Sequence, residues 1–399
     1  MESSDPRAQA TSTAIIAVCT ALMTIGVVMV ASASANLDRS IFELGFWRSS
    51  FGRQTVFAVA GFLTMLATAM IGRRMIAWSD RTRRVLSLLL FLVSMLALIA
   101  VLIPGIGKEV NGARRWIEFG PAAYGLRFQP SEFAKLALVI GLAALLSRPA
   151  ECVRSFRGGL LPCAIAVALT AGLVGGEDFG TAVLLAAVGG LMLLVGGCRV
   201  YHLALLTAPA LAGMWYLIAS HPYRVARLAA FRNIWEDPQG AGYHPVQSLV
   251  TIASGGWFGR GLGAGIQKYG YLPESRTDFI FSVICEEMGI LGSVAVILLF
   301  VVLLWLGARA VAHAPDAFGC LAAFGVTLTI GLQAAMNIAV VTVCVPTKGI
   351  GLPLVSAGGS GIVFLGMGIG LLAAVASAGR YTVSDRADAV SAHRVRRVF

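Results

Sequence analysis

The chain has 399 residues, of which 57% are hydrophobic and 13% are charged, and its formal net charge is +11. Soluble domains carry about 25% charged residues, so the composition excludes a soluble enzyme, a disordered protein and a fibrous chain. It is typical of a polytopic helical membrane protein. The cations lie in loops between apolar segments, which favours membrane lipid or an anionic substrate as partner and argues against nucleic acid.

Ten apolar segments approach the length of a membrane-spanning helix, which needs about 20 residues. The predicted fold class is therefore all-α, a polytopic membrane protein with about ten transmembrane helices. A large loop, 220–277, lies between the seventh and eighth spans. The short spans on either side of Gly175 to Asp178 carry the weakest signal. The predicted spans are 13–32, 54–71, 85–104, 131–147, 159–174, 179–197, 200–219, 279–308, 317–343 and 355–378.

Arginine-rich segments set the expected orientation. The loops 72–84 and 148–158 and the tail 379–399 are all basic, and with ten spans they lie on the same side as the N-terminus. The positive-inside rule places that side in the cytoplasm. We therefore predict a cytoplasmic tail at 1–12, a membrane domain at 13–378 and a basic cytoplasmic tail at 379–399. Residues 31–35 resemble a signal-peptidase site, but the long apolar run before them favours a retained span.

Common nucleotide and hydrolase motifs are missing from the sequence, which has no P-loop, HExxH or GxSxG pattern. Its seven cysteines include no CxxC pair and lie mostly within apolar runs, so we interpret them as buried hydrophobes. Chemistry in this chain must therefore use a substrate that arrives already activated.

Charged residues cluster before and within the fourth span. Arg114 and Arg115 lie beside Trp116, which suits a phosphate at headgroup level or an ordinary aromatic belt with snorkelling cations. Pro130 is expected at the first helical position. Glu132 and Lys135 are three residues apart and share a helix face. They are either a functional charged pair within the membrane or a structural ion pair.

The outer loop and the start of the eighth span are the richest stretch. Asp278 lies where they meet, and it is either a carboxylate with a raised pKa or a helix N-cap. Glu286 falls about 80° from the Asp278 face of a helix and Glu287 about 180°. Glu286 is thus the better candidate to share a cavity with Asp278. The pair Glu177 and Asp178 at the sixth span is best explained by a plain N-cap.

Glycines and polar residues mark two further loops. The run from Ser254 through Gly255 and Gly256 to Arg260 suits a lipid-linked phosphate or sugar, or else a tight interfacial loop without a ligand. Asn337, Lys348 and Ser356 flank a Pro/Gly loop that precedes a small-residue helix. Small residues permit close helix packing, and a cavity lined by polar backbone is the alternative.

Taken together, these motifs resemble the SEDS family (shape, elongation, division, sporulation), and within it the division branch more than the elongation branch. The blocks VNGARRWIEFGP at 110–121, FQPSEFAKLALV at 128–139 and EDFGTAVLL at 177–185 carry the resemblance. So do the stretch GYHPVQSLV to ESRTDFIF at 242–281, EEMGILG at 286–292 and NIAVVTVCVPTKGIGLPLVSAGGS at 337–360.

The resemblance implies a ten-span peptidoglycan glycosyltransferase that polymerises lipid II at the outer face of the bacterial cytoplasmic membrane. It also implies a class B penicillin-binding protein and other division proteins as partners, and a location at the septum. Asp278 matches the family's catalytic carboxylate. Arg114, Arg115, Glu132 and Lys135 match its conserved charged positions.

Two departures from the family pattern stand out. The family's ISYGGSS is here Val355 to Gly361, so that Ala357 and Gly361 replace a tyrosine and a serine. The usual histidine before the Thr-Asp pair is Arg276. A cation at that position is expected to lower the pKa of Asp278.

We therefore predict Asp278 as the catalytic residue. Predicted substrate or pyrophosphate ligands are Arg114, Arg115, Glu132, Lys135, Arg260, Ser254, Gly255 and Gly256; predicted cavity-supporting residues are Glu286, Asn337, Lys348 and Ser356. No cofactor is expected with certainty, and a divalent cation such as Mg or Mn is a candidate. The competing hypotheses are a flippase for the lipid-linked precursor and a non-catalytic division scaffold.

Overall fold

The computed structural model describes residues 5–34, 49–110, 112–119, 127–267 and 269–379. Of the predicted tails, residues 1–4 and all of the C-terminal tail except Gly379 fall outside the described residues, as does the end of the signal-peptidase-like segment. Helices occupy all ten predicted spans. In chain order, with the shorter helices included, they are α1 (Pro6–Ser34), α2 (Ser50–Ile76), α3 (Asp80–Leu102), α4 (Pro130–Leu146), α5 (Ala150–Arg154), α6 (Leu161–Gly175), α7 (Phe179–Val195), α8 (Val200–Ala219), α9 (Pro222–Arg232), α10 (Tyr243–Ser254), α11 (Ile280–Ala312), α12 (Ala317–Val341) and α13 (Ser360–Ser377).

The helical membrane fold is confirmed. Eight of these segments are long and apolar enough to cross a membrane, α6 being counted together with the π-helical turn Phe156–Leu160 that precedes it. The other two, α4 and α7, have 17 residues each, at the lower end of what a bilayer requires. Helix α1 begins at Pro6, so most of the expected N-terminal tail is helical instead.

Local chemistry explains where several helices begin. Pro130 opens α4, as its fixed φ predicts. The side chain of Asp178 caps α7 by accepting a hydrogen bond from the Thr181 backbone N–H at 3.0 Å, which confirms the predicted N-cap. Helix α13 begins five residues later than predicted, since Leu354 and Gly359 have φ of 64° and 48° and cannot continue a helix.

Small residues allow α13 to pack closely against α2. A methyl group built at Gly366 would lie 2.3 Å from the Gly61 carbonyl oxygen, and one at Gly370 would lie 2.3 Å from the Met65 carbonyl oxygen. Neither position tolerates a side chain without movement of the backbone. The predicted small-residue packing of the last span is therefore confirmed.

A small antiparallel sheet follows α3 and was not predicted. It consists of β1 (Gly107–Val110), β2 (Ala113–Glu118) and β3 (Arg127–Phe128), in the order β1-β2-β3. Successive side chains of a strand point to opposite faces, so Arg115 and Trp116 of β2 face opposite ways. The sheet thereby directs neighbouring residues of β2 to opposite sides.

The prediction that the cysteines are buried hydrophobes holds for four of the seven. All seven are free, and Cys19, Cys163, Cys198 and Cys285 are buried, while Cys344 is exposed. They form no disulfide framework.

Candidate active site

Asp278 lies two residues before α11, and a hydrogen bond to its backbone carbonyl oxygen fixes its position. Asn337 of α12 donates from Nδ2 to the carbonyl oxygens of Asp278 (2.8 Å) and Ile350 (2.7 Å). Phe279 occupies the N-cap position, and no side chain caps the helix there. The carboxylate of Asp278 is thus not used as a cap and is free for chemistry.

Three other parts of the chain converge on this carboxylate. A methyl group built at Gly349 would lie 3.3 Å from Asp278 Oδ2 and 3.7 Å from Arg115 Nη1, so both groups face the Gly349 backbone. Arg115 also donates from Nε to the Glu177 carbonyl oxygen (2.8 Å) and lies 4.0 Å from Asp178 Oδ2. Strand β2, the start of α7 and the loop after α12 therefore meet at Asp278.

Helix α9 adds a further cation. Arg227 donates from Nη1 to the Thr347 carbonyl oxygen at 3.3 Å, and its guanidinium lies over the Tyr223 ring. Its charge acts on Asp278 strongly enough to influence the carboxylate's pKa. Arg227 was not among the predicted site residues.

Burial raises the pKa of Asp278 to about 7, and the carboxylates of Glu274 and Asp178 act in the same direction. Arg115 and Arg227 oppose this shift without reversing it. The raised pKa suggested by its position is thus confirmed, whereas the lowering expected from Arg276 is wrong. The reason is geometric, because Arg276 donates from Nη1 to Ser50 Oγ of α2 at 2.6 Å instead of turning to Asp278.

The loop opposite Asp278 is fastened to the chain on both sides. Ser356 Oγ donates to the Thr277 carbonyl oxygen and accepts from the Leu352 N–H, both at 2.6 Å. Gln333 of α12 donates from Nε2 to the Gly351 carbonyl oxygen at 3.1 Å. Ser356 and Asn337 therefore lie where residues supporting the site are expected.

Glu132 and Lys135 reach this loop through Gln333. Lys135 Nζ lies 2.8 Å from Glu132 Oε1 and donates to Gln333 Oε1 at 2.8 Å, and the Lys135 side chain is buried. The predicted ion pair is thus present, and it belongs to the scaffold that positions the Asp278 loop. Gln333 gives no sequence signal beyond being a polar residue within a span.

Arg114 and Lys348 are placed differently from Arg115. The backbone N–H of Arg114 donates to Glu177 Oε2 at 2.6 Å, while its side chain lies 3.4 Å from Glu109 on the other face of the strand. Lys348 Nζ lies 5.1 Å from the centre of the Phe179 ring, and burial lowers its pKa. Of the two predicted adjacent arginines, only Arg115 faces Asp278.

The glycine-rich loop forms a second cluster around two buried carboxylates of α11. Glu287 accepts from the Gly263 N–H (3.1 Å) and Glu286 from the Ile266 N–H (2.9 Å), and both side chains are buried. The Arg260 N–H donates to the Glu286 carbonyl oxygen at 2.9 Å.

The structure therefore places Arg260 beside Glu286. None of the contacts among the described residues joins Arg260 to Asp278. The same cluster contains the turn at Ser254, Gly255 and Gly256, where a methyl group at Gly255 would lie 1.9 Å from the Cys285 carbonyl oxygen. Contrary to expectation, Glu286 shares its surroundings with Glu287 instead of the Asp278 cavity.

Within the ranges that the structure describes, no cluster of three or more His, Cys, Asp or Glu side chains could hold a metal ion. The described residues offer the Asp278 carboxylate, with a pKa of about 7, close to the cations Arg115 and Arg227 and to the carboxylates of Glu274 and Asp178.

This arrangement, in a bundle whose helices occupy all ten predicted spans, places the chain in the class of polytopic membrane proteins that hold a carboxylate of raised pKa between fixed cations. Comparison with known proteins narrows the class. Residues 12–381 match the family profile FTSW_RODA_SPOVE, described as cell cycle protein. The chain is 40% identical over 362 residues to stage V sporulation protein E of Bacillus subtilis (strain 168), covering 90% of this chain and 95% of that protein. It is 41% identical over 355 residues to a probable peptidoglycan glycosyltransferase FtsW of Nitrosococcus halophilus (strain Nc4), covering 88% of each chain.

Solved structures agree with these relatives. One chain, from a structure described as "Structural coordination of polymerization and crosslinking by a peptidoglycan synthase complex", superposes with a TM-score of 0.72 at 27% identity, covering 94% of this chain and 98% of that one. The rod shape determining protein RodA of Thermus thermophilus superposes with a TM-score of 0.63 at 27% identity, covering 92% and 97%. The chain belongs to the FtsW, RodA and SpoVE family, which is the SEDS family that its motifs resemble.

Proposed function

We propose that this chain polymerises lipid II into peptidoglycan glycan strands at the outer face of the cytoplasmic membrane. It is a peptidoglycan glycosyltransferase of the SEDS family, as its FtsW-named relatives are described. The observation that carries the proposal is the half-buried Asp278 carboxylate, whose pKa of about 7 lets it accept a proton at neutral pH.

Asp278 acts in this proposal as the general base. It removes the proton from the 4-hydroxyl of the GlcNAc on incoming lipid II, and that oxygen attacks C1 of the MurNAc at the reducing end of the growing strand. The bond from C1 to the phosphate oxygen breaks, and undecaprenyl pyrophosphate leaves with the electron pair. The configuration at C1 inverts. Because a pyrophosphate needs no proton to leave, one carboxylate suffices where a glycosidase uses two.

Cations near Asp278 stabilise the charge that develops on the leaving group. Arg115 and Arg227 are the candidates that the geometry favours, since both act on the Asp278 carboxylate. Glu132, Lys135, Asn337 and Ser356 position the loop that faces it. A divalent cation such as Mg or Mn is compatible with this proposal, and no step depends on it.

Partners and location follow the same reasoning. A class B penicillin-binding protein is the proposed partner. The proposal is supported by the similar fold of a chain in a structure described as a peptidoglycan synthase complex. Relatives described as FtsW and as a sporulation protein favour septal cell-wall synthesis in division. The basic loops 72–84 and 148–158 support cytoplasmic termini.

The test reconstitutes the purified chain in vesicles with its cognate class B penicillin-binding protein, with transpeptidation blocked, and supplies lipid II. Glycan strands are measured in one assay and transfer of lipid II across the bilayer in a second. We expect strands without lipid transfer. Transfer without strands would establish the flippase, and the absence of both with the partner bound would favour the scaffold.

A further inference from the structure

A small cleft lies between the start of α3 and the end of α4, at the end of these helices that is remote from Asp278. Its volume is about 40 Å³. A buried water molecule needs roughly 10–15 Å³ of such space, so the cleft has room for a group with several oxygen atoms, such as a phosphate. The lining is mostly polar and consists of Asp80, Arg83, Arg84, Ala144, Ser147, Arg148 and Pro149.

Arg83 is already paired with carboxylates. Its guanidinium donates from Nη2 to Asp80 Oδ1 at 2.7 Å and from Nη1 to Asp316 Oδ2, the cap of α12. It also lies 5.1 Å from the centre of the Phe318 ring, and only 12% of the Arg83 side chain is exposed. Because Arg83 and its two carboxylates have a formal charge of one negative unit together, this group does not attract an anion.

Arg84 and Arg148 are held in place but keep most of their donors. Arg84 donates from Nε to the Asp80 carbonyl oxygen, and Arg148 donates from Nη1 to the Gly158 carbonyl oxygen, both at 3.1 Å. Each bond uses one of the five N–H donors of a guanidinium and leaves its charge unopposed. Across the described ranges of the chain, neither arginine forms an ion pair.

The charge balance of the cleft fits a monoanion. Three guanidinium groups and the two carboxylates that pair with Arg83 leave one formal positive charge. A phosphodiester carries one negative charge, and its two free oxygen atoms match the forked donors of an arginine. A single phosphodiester would therefore neutralise the cleft and occupy the unused donors of Arg84 and Arg148.

The residues that follow Arg84 along α3 indicate that a lipid carries this phosphodiester. Leu88, Leu92 and Leu96 follow Arg84 at intervals of four residues, which places them in one row along the helix. All three leucine side chains are exposed, and α3 is long and apolar enough to cross a membrane. The cleft thus lies at the polar end of a lipid-facing row, where phospholipid headgroups are expected.

We propose that Arg84 and Arg148 bind the headgroup phosphate of an anionic phospholipid whose acyl chains lie along the exposed leucine row of α3. If the basic loops 72–84 and 148–158 lie in the cytoplasm, as we propose, this lipid belongs to the inner leaflet. The inference goes beyond the glycosyltransferase proposal and does not rest on it. Arg74 and Arg81 of the same basic loop do not line the cleft, so they offer a comparison.

Calorimetric titration of the purified full-length chain in a neutral detergent tests this proposal. The probes are dioctanoyl phosphatidylglycerol, dioctanoyl phosphatidylcholine and inorganic phosphate. We expect saturable binding of the phosphatidylglycerol and much weaker binding of the other two. The choline group would bring a further positive charge to a cationic cleft, and inorganic phosphate has no acyl chains to contact the leucine row.

Single variants separate the cleft from the rest of the basic surface. Arg84→Gln and Arg148→Gln each lose one charge-assisted hydrogen bond, which predicts affinity for phosphatidylglycerol weakened on the order of tenfold. Ser147→Phe fills the cleft without changing its charge and should weaken binding as well. The matched control is Arg81→Gln, which removes the same charge from an exposed arginine of the first turn of α3. It should bind phosphatidylglycerol as wild type does.

Three outcomes would overturn the proposal. The first is wild-type affinity for phosphatidylglycerol in both Arg84→Gln and Arg148→Gln, each unfolding at the wild-type temperature. The second is equal weakening by Arg81→Gln, because the attraction would then come from the basic surface as a whole. The third is equal affinity for inorganic phosphate, which would remove the lipid from the account. None of these titrations uses lipid II, so they stand or fall separately from glycan polymerisation.

Discussion

Asp278 retains a pKa near 7 although two arginines act on it. Burial is the largest contribution, and the carboxylates of Glu274 and Asp178 add to it. The charge of Arg115 is partly neutralised by its contact with Asp178, and this reduces how far Arg115 lowers the pKa of Asp278. A general base with a pKa close to the working pH combines a large ionised fraction with a useful proton affinity.

The pH dependence of polymerisation follows from this environment. Because the ionised form of Asp278 is the base, we expect the rate to rise with pH and level off above about 7. Replacing Glu274 with glutamine removes a negative charge that raises the pKa of Asp278, so the midpoint should move to lower pH. Initial rates of strand formation across pH, for wild type and Glu274→Gln, measure both effects.

A midpoint near the ordinary pKa of an aspartate would contradict this assignment. So would an identical midpoint in Glu274→Gln. The variant Arg227→Gln should shift the midpoint in the opposite direction, to higher pH, because it removes a nearby cation that lowers the pKa of Asp278.

For individual residues, spacing along the sequence correctly predicted the contacts that form between residues close together in the chain. The Glu132 and Lys135 pair and the Asp178 cap both follow from positions three residues apart. Arg227, Gln333 and Gly349 reach the site from distant segments, and nothing in their own surroundings in sequence predicts that. Arg276 is the clearest case in which sequence spacing misled. Its position two residues before Asp278 suggested that it lowers the pKa of Asp278, but its side chain is directed to Ser50 of α2 instead.

Helix α11 combines two functions along its length. Asp278 lies just before its start, and a little over two turns after Asp278, at about 3.6 residues per turn, Glu286 and Glu287 bind the backbone of the glycine-rich loop. Gly289 then interrupts the helix with φ of 68°. The loop packs against this interruption so closely that Gly255 and Gly259 have no room for a side chain. The loop is therefore closely packed against α11 at these two glycines.

Gly255→Ala tests this packing. A methyl group there meets the Cys285 carbonyl oxygen at 1.9 Å, so the backbone must shift. Overpacking of this kind costs about 1–3 kcal/mol, and we expect a lower unfolding temperature. Gly172→Ala in α6 is the matched control, because nothing lies within 4 Å of its added methyl group.

Thermal unfolding in detergent measures both variants. Gly172→Ala should be neutral or stabilising, since alanine is the better helix former by about 1 kcal/mol. Equal unfolding temperatures for the two variants would show that the loop does not pack tightly against α11.

Elements were predicted unequally well. Hydropathy located all ten long helices because each must be apolar to lie in lipid. The small sheet escaped prediction because its strands are short and rich in charged residues, with pairing decided between strands. The late start of α13 depends on positive φ values at Leu354 and Gly359, for which only the glycine gave a hint.

Across the whole molecule, the site draws on loops at one end of the bundle. The sheet after α3, the start of α7, helix α9, the start of α11 and the loop after α12 all contribute to it. If the basic loops 72–84 and 148–158 lie on the cytoplasmic side, as we propose, that end faces outward. An outward site suits an enzyme whose lipid-linked substrate is presented on the outer leaflet.

Cys344 offers a direct test of this orientation. It is an exposed cysteine in the loop after α12, close in sequence to Lys348. We expect a membrane-impermeant maleimide to label it in cells whose outer layers admit the reagent, and Cys344→Ser to abolish that labelling. Labelling that appears only after the cytoplasmic membrane is permeabilised would invert the topology.

The most direct measurement of the central claim compares the polymerisation of lipid II by wild type, Asp278→Asn and Asp80→Asn, each with the class B partner bound. Asp80 is exposed at the start of α3 and is a matched control outside the site. General base catalysis contributes about a hundredfold or more, so Asp278→Asn should lose at least that much rate while unfolding at the wild-type temperature. Asp80→Asn should polymerise as wild type does. Wild-type rates from folded Asp278→Asn would contradict the account by removing Asp278 from the chemistry.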